Sequence, residues 1–461
     1  MKFTPLAAAL ATATLAAPLA AENRIDGQSP DAPALAAYGP LPVGVRRFDF
    51  VNPAQVNVRA IDPATPGAPF PRYDRPLTVE TWYPAAPGAT GSTTIDTIMR
   101  NGAPIQLEGR AMRDAAAIES GRFPLVLMSH GYPGNRFLMS HMAENLASKG
   151  YVVASIDHTD SVYDDIGAFA STLRNRPLDQ LFVLDQMARL DGDAASELAG
   201  RIDADNAGLI GYSMGGYGAV ITAGGGLSEA IVDSRYAPPG VLDIHEEGSA
   251  THDALPDPRI KTAVTIGPWG MQNGFWDAEG LAGIEIPLLL IAGSNDTVSQ
   301  YETGVRALWE GATSVDRALL TFEGGSHNTV APIPAPEESL GLPSRAHYTD
   351  PAFDTVFMNN VGQHFVTAWL DTELKGALDR AVYLDLIADG ASGVYSVGAD
   401  GDFAADHTYW LGFQPGTADR LNYEVLAAGQ VAPIPLPASG LLLVMGMVGL
   451  GAARATRGRR G

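Results

Sequence analysis

Seven short apolar runs recur along the chain: Leu77 to Trp82, Pro124 to Met128, Tyr151 to Ile156, Gly208 to Ile210, Thr262 to Ile266, Pro287 to Ile291 and Ala318 to Phe322. Most are continuous rather than alternating, the pattern of strands buried on both faces. Between them, Leu138, Met142 and Leu146 fall at four-residue spacing. Leu178 to Leu190, Ala219 onwards, Tyr301 to Leu308 and Phe357 to Leu374 carry further helical patterns. This alternation predicts an α/β fold, a mostly parallel central sheet with helices on both faces. One stretch interrupts it: Ser228 to Pro258 is polar and bears Pro and Gly, and is expected to form an inserted lid-like loop.

The fourth run leads into Gly211-Tyr212-Ser213-Met214-Gly215-Gly216, a G-x-S-x-G pattern, and a helical pattern follows. In a glycine-rich chain the pattern alone is weak evidence. Strand, tight turn and helix together are what a nucleophile elbow requires, with small residues at 211, 215 and 216 permitting the turn and close helix packing. A serine hydroxyl is a poor nucleophile near neutral pH, so it needs a base, and the base needs a carboxylate to orient it. In the order Ser, Asp, His expected after such an elbow, Asp296 follows the strand ending at Ile291, and His327 lies in a glycine-rich loop after the strand ending at Phe322. The oxyanion of a tetrahedral intermediate needs two backbone N–H donors. Met214, next after the serine, supplies one. The turn Ser129-His130-Gly131-Tyr132-Pro133 offers Tyr132 as the other, since Pro133 has no N–H to give. Tyr212 and Trp269 are candidate substrate-binding residues.

Other titratable clusters are read as structural. His364 falls within an apolar helical pattern and reads as a core or interface residue. Asp157, His158 and Asp160 are expected to make structural hydrogen bonds. His245, Glu246, Glu247, His252 and Asp253 have no fixed metal-ligand spacing and are expected in a solvated loop. The reading requires neither metal nor cofactor.

His130-Gly131-Tyr132, the run Gly150 to Asp160, the elbow at Ser213 and Trp410-Leu411-Gly412-Phe413 resemble the α/β-hydrolases of the platelet-activating-factor acetylhydrolase and predicted dienelactone hydrolase group. Tyr38 to Arg46 and Trp82-Tyr83-Pro84 resemble that group's N-terminal strands. Ser213-Met214-Gly215-Gly216 and Pro268-Trp269 are also similar to cutinase-like polyester hydrolases. The resemblance implies an α/β-hydrolase fold and hydrolysis of carboxylic esters through Ser213, Asp296 and His327. True dienelactone hydrolases use a cysteine nucleophile, and this chain has no cysteine. A peptidase or acyltransferase using the same triad, or a non-catalytic surface binding protein, are the alternatives of other classes.

The two ends read as addresses. Residues 1–21, with Lys2, an Ala/Leu/Thr-rich stretch and Pro18 to Ala21 ahead of the first acidic residue, predict a signal peptide. At 431–461, Ile434-Pro435-Leu436-Pro437-Ala438, an uncharged stretch and four arginines resemble an exosortase-type C-terminal sorting signal. That implies export across the inner membrane of a Gram-negative bacterium, with sorting machinery as a partner. The expected organisation is residues 22–387 as the catalytic domain and 388–430 as its extension. Acidic residues outnumber basic ones by 52 to 30, a formal charge of -22, which argues against nucleic-acid partners.

Overall fold

The computed structural model of the protein describes residues 23–432. Both predicted address segments lie outside that range, apart from the first two residues of the second. All seven apolar runs fall on strands of one sheet, with only Tyr151 and Pro287 one residue ahead of theirs. In chain order its main strands are β1 (Val43–Val56), β2 (Arg72–Pro84), β3 (Phe123–Ser129), β4 (Val152–Asp157), β5 (Ile202–Tyr212), β6 (Ile260–Ile266), β7 (Leu288–Gly293), β8 (Arg317–Phe322) and β9 (Leu421–Leu426). They are arranged β9-β8-β7-β6-β5-β3-β4-β2-β1, with the two-residue strand Met112–Arg113 beyond β1. From β4 to β8 every neighbouring pair is parallel. β2 runs antiparallel to both β1 and β4, and β9 antiparallel to β8.

The continuity of the apolar runs follows from two cores. Leu125 and Leu127 enter one, Val126 and Met128 the other; Leu288 and Leu290 part from Leu289 and Ile291 in the same way. Each such side chain removed from water contributes about 1.5–3 kcal/mol. Helices α2 (Phe169–Gly192) and α3 (Met214–Thr222) cover the first core, and α1 (Ser140–Ser148) and α4 (Thr355–Lys375) the second.

Helix ends differ from the sequence expectation where tertiary packing intervenes. α2 starts at Phe169 rather than Leu178 and carries Pro177 inside it. The missing N–H of Pro177 leaves the Leu173 carbonyl without its usual donor, and the Tyr217 hydroxyl donates to that oxygen at 3.0 Å. α3 starts at Met214, five residues before the apolar pattern, because glycines 215, 216 and 218 dilute the period. α4 is capped at both ends, by the Asp354 carboxylate accepting from the Phe357 N–H and by Gly376 at φ 62°.

The expected lid at Ser228 to Pro258 is corrected. Ile231, Val232, Val241 and Leu242 are buried in the core that α2 and α3 cover, and Tyr236 packs on Phe275 with ring centroids 5.0 Å apart. His245 and His252, expected in solvent, are buried; their Nε2–H groups donate to the carbonyls of Arg174 at 2.7 Å and Gly224 at 3.0 Å. Few residues of this segment are apolar, but those few anchor it. At the other end, β9 completes the sheet, and Trp410 and Phe413 pack on Phe365 of α4, so residues after 388 contribute to the same core.

No helix among the described residues is long and apolar enough to cross a membrane.

Candidate active site

Ser213 stands at the C-terminal end of β5, between Tyr212 and the first residue of α3. Its backbone sits at φ 52°, ψ −111°, a conformation that non-glycine residues rarely adopt. The neighbours show what this turn requires. A Cβ on Gly211 would meet the Gly215 carbonyl oxygen at 2.3 Å, one on Gly215 the Ser129 oxygen at 1.9 Å, and one on Gly216 the Pro268 Cα at 2.9 Å. The Ser213 N–H donates to the Ile266 carbonyl at 2.8 Å, and its own carbonyl accepts from Trp269 and Tyr217. The strained residue is therefore held from both sides.

The structure brings the three residues picked from sequence together. His327 Nε2 lies 2.9 Å from Ser213 Oγ, and His327 Nδ1 lies 2.8 Å from Asp296 Oδ2. The other carboxylate oxygen, Oδ1, accepts from the N–H groups of Val298 at 2.8 Å and Ser299 at 2.9 Å. Asp296 is 4% exposed, and with both oxygens occupied its carboxylate fixes the imidazole with Nδ1 protonated and Nε2 free to accept the serine proton.

A second Ser, His and Asp lie in line nearby. Ser129 Oγ donates to His158 Nε2, whose Nδ1–H donates to Asp179, each at 2.9 Å. All three are at most 1% exposed, and Arg75 grips Asp179 through two hydrogen bonds. No substrate reaches this set. It serves as structural packing beneath the first, with His158 in the role expected for it. Asp160 likewise pairs with Arg59 and Arg75, and Asp157 with Arg136.

The turn carrying Tyr132 is braced from within. Gly131 and Tyr132 share a peptide whose carbonyl accepts from His130 Nδ1 at 2.7 Å and from Arg176 at 3.4 Å; Arg176 also donates to the His130 carbonyl at 2.5 Å. Burial, reinforced by the Arg176 charge, holds the His130 imidazole well below its ordinary pKa and therefore neutral. Two donors on one face of a peptide strengthen the N–H on the other.

A cleft of about 630 Å³ opens over Ser213 and His327, with Tyr132, Tyr212, Arg100 and Asn328 in its walls. Burial pushes the Tyr212 hydroxyl pKa up, and its ring lies 5.2 Å from that of His327. Trp269 is not in the wall: it packs among Phe169, Tyr217, Tyr236 and Phe275, behind the serine. Nor does any residue of 228–258 line the cleft. That place is taken by residues 343–351, between His327 and α4, including Pro343, His347, Thr349 and Pro351. The sequence reading passed over this stretch and Arg100. The signal was the length of the unpatterned segment after His327. His364 is buried on α4, its Nδ1 accepting from the Leu35 N–H at 3.1 Å. Among the described residues no three His, Asp or Glu side chains gather in a way that would hold a metal ion.

Such an arrangement can deprotonate an alcohol, hold it against an acyl carbon and offer amide donors to the developing oxyanion. Parts of the chain are similar to known proteins. A family profile described as PETase, PET hydrolase-like, matches residues 114–236, a stretch with Tyr132 and Ser213 but neither Asp296 nor His327. The chain is 26% identical over 210 residues to "Cutinase 2" of Thermobifida cellulosilytica, covering 45% of this chain and 62% of that protein. It is 24% identical over 299 residues to "Bis(hydroxyethyl) terephthalate hydrolase" of Streptomyces coelicolor, covering 63% and 79%. The match thus spans less than two thirds of the cutinase. A solved ferulic acid esterase from Streptomyces cinnamoneus superposes with a TM-score of 0.52 at 22% identity, over 74% of this chain and 93% of that one. The fold is that of an α/β-hydrolase.

Proposed function

We propose that the protein is a serine hydrolase of carboxylic esters. The observation that carries this reading is the 2.9 Å contact between Ser213 Oγ and His327 Nε2 on a strained elbow that opens into a cleft. In the proposed cycle His327 takes the Ser213 proton as Oγ attacks the ester carbonyl, and Asp296 stabilises the imidazolium. The Met214 N–H, which has no intrahelical acceptor at the first position of α3, and the Tyr132 N–H hold the oxyanion. The imidazolium then protonates the departing alcohol, and water, deprotonated by the same ring, releases the acid. No cofactor enters.

The named relatives support cutinase-like or polyester substrates. The resemblance to platelet-activating-factor acetylhydrolases supports short acyl esters instead. A panel of p-nitrophenyl esters of increasing chain length, with a polyester film beside it, separates the two. Ser213→Ala is expected to abolish turnover across the panel with the melting temperature nearly unchanged; hydrolysis retained in that variant would refute the proposal.

Export is part of the same reading: a leader at 1–21 removed on secretion, and a tail at 431–461 that anchors the protein transiently before sorting machinery cuts it.

A further inference from the structure

We propose that Arg100 makes the cleft selective for esters that carry a second, anionic group, a carboxylate above all; the proposal rests on the esterase reading of Ser213. Arg100 follows the strand Thr94–Ile98 of a small three-stranded sheet separate from the main one, and it lies in the wall of the cleft that holds Ser213 and His327. It is held there at two points. Its backbone N–H donates to the Tyr348 hydroxyl at 2.9 Å, and its Nη1 donates to His347 Nδ1 at 3.0 Å.

His347 cannot neutralise this charge. Burial and the adjacent guanidinium lower its pKa to about 3, so the ring is neutral, with Nδ1 accepting from Arg100 and Nε2–H donating to the Tyr163 hydroxyl at 2.9 Å. Among the described residues no carboxylate pairs with Arg100. Asp296, bonded to His327, and Asp350, in the cleft wall, are committed elsewhere. Asp296 binds His327 and two backbone amides, while Asp350 accepts from the N–H groups of Ser326, Ala352 and Phe353.

One of the five guanidinium N–H donors is spent on His347, and the exposed head group, in the wall of the cleft, has four left to offer a ligand. In a chain of net charge -22 this is a local reversal of sign in the cleft that holds the nucleophile. Tyr212, the residue that precedes Ser213, lines the same cleft. A planar guanidinium fork matches a carboxylate bidentately, so a half-ester of a dicarboxylic acid, or an ester of a hydroxy acid, would place its free carboxylate there while its ester carbonyl meets Ser213.

The test compares kcat/KM for charged and neutral esters of matched shape. Mono-4-nitrophenyl glutarate against 4-nitrophenyl pentanoate puts the charge on the acyl side. 4-Acetoxybenzoate against 4-acetoxybenzamide puts it on the alcohol side. In the wild type the charged ester is expected to be preferred in one arm at about 50 mM NaCl, with the preference shrinking toward about 500 mM. Arg100→Gln is expected to cut the charged-to-neutral ratio about tenfold or more in that arm, and Arg100→Lys by less. A wild type that favours the neutral ester in both arms at low salt, or a ratio that Arg100→Gln leaves within about twofold in both, overturns the proposal. A wild type that cleaves none of the four overturns the esterase reading and this one with it.

Discussion

Gly267 lies against His327 so closely that a Cβ there would stand 3.2 Å from the imidazole Nδ1 and 3.3 Å from Asp296 Oδ2, the two atoms of the proton-orienting contact. Its φ of 49° belongs to the left-handed region, and its carbonyl accepts from the Ser299 hydroxyl at 2.7 Å. The residue after β6 is therefore best filled by glycine on two counts, conformation and space.

Gly267→Ala should accordingly act on catalysis more than on folding. The left-handed backbone costs an alanine about 1–2 kcal/mol, a modest loss in denaturant unfolding. The methyl group wedged against Nδ1 should lower kcat by about tenfold or more, since triad geometry tolerates little displacement. Steady-state kinetics beside urea melts checks this; a variant with full kcat would mean that the Asp296–His327 contact does not orient the base.

Arg176 tests the brace beneath the oxyanion turn. Arg176→Lys keeps a charge but loses the fork that holds the His130 and Gly131 carbonyls and the Ser161 hydroxyl. The expected result is a fall in kcat of about tenfold, less than the hundredfold or more of deleting an oxyanion donor outright, with KM changed little. Rescue of kcat by lysine to the wild-type value would show that charge alone suffices.

Acid should destabilise the fold through its buried histidines. Burial lowers the pKa of His141 to about 4 and those of His245 and His364 to about 3. Unfolded, each would titrate near 6.5. As pH falls below that value the unfolded chain takes up protons that the folded one refuses, so stability present above pH 6.5 is lost progressively toward the folded values. The slope is on the order of 1.4 kcal/mol per pH unit for each such ring. Melting temperatures measured from pH 7 down to pH 4 should drop steadily; a flat profile would mean that these rings titrate in the fold as they do in the unfolded chain.

The segment 228–258 offers a contrast between lid and core. Leu242→Ala removes a fully buried side chain and should cost about 2–5 kcal/mol in unfolding free energy, leaving KM for small esters near the wild-type value. A change in KM without loss of stability would restore the lid.

What the sequence revealed and what it hid divide along physical lines. The seven strand runs were legible because a sheet covered on both faces needs unbroken apolar stretches, and Ser213, Asp296 and His327 were legible because each follows one of those runs. β9 escaped notice: Glu424 and Asn422 point away from the core toward Arg306 and Glu323, so its alternation reads as a polar loop. The burial of Ile231, Val232, Val241 and Leu242 was masked by the prolines and glycines around them. The cleft wall at residues 343–351 has no period of any kind, and only the fold places it over Ser213.

The most direct test of the account is covalent. A fluorophosphonate probe forms a stable adduct with a serine that a histidine base has activated, and mass spectrometry of the digested protein locates it. The account predicts one adduct, on Ser213, formed at a rate that His327→Ala reduces by orders of magnitude and absent from Ser213→Ala. Labelling of another serine, or wild-type labelling that His327→Ala leaves unchanged, would contradict it.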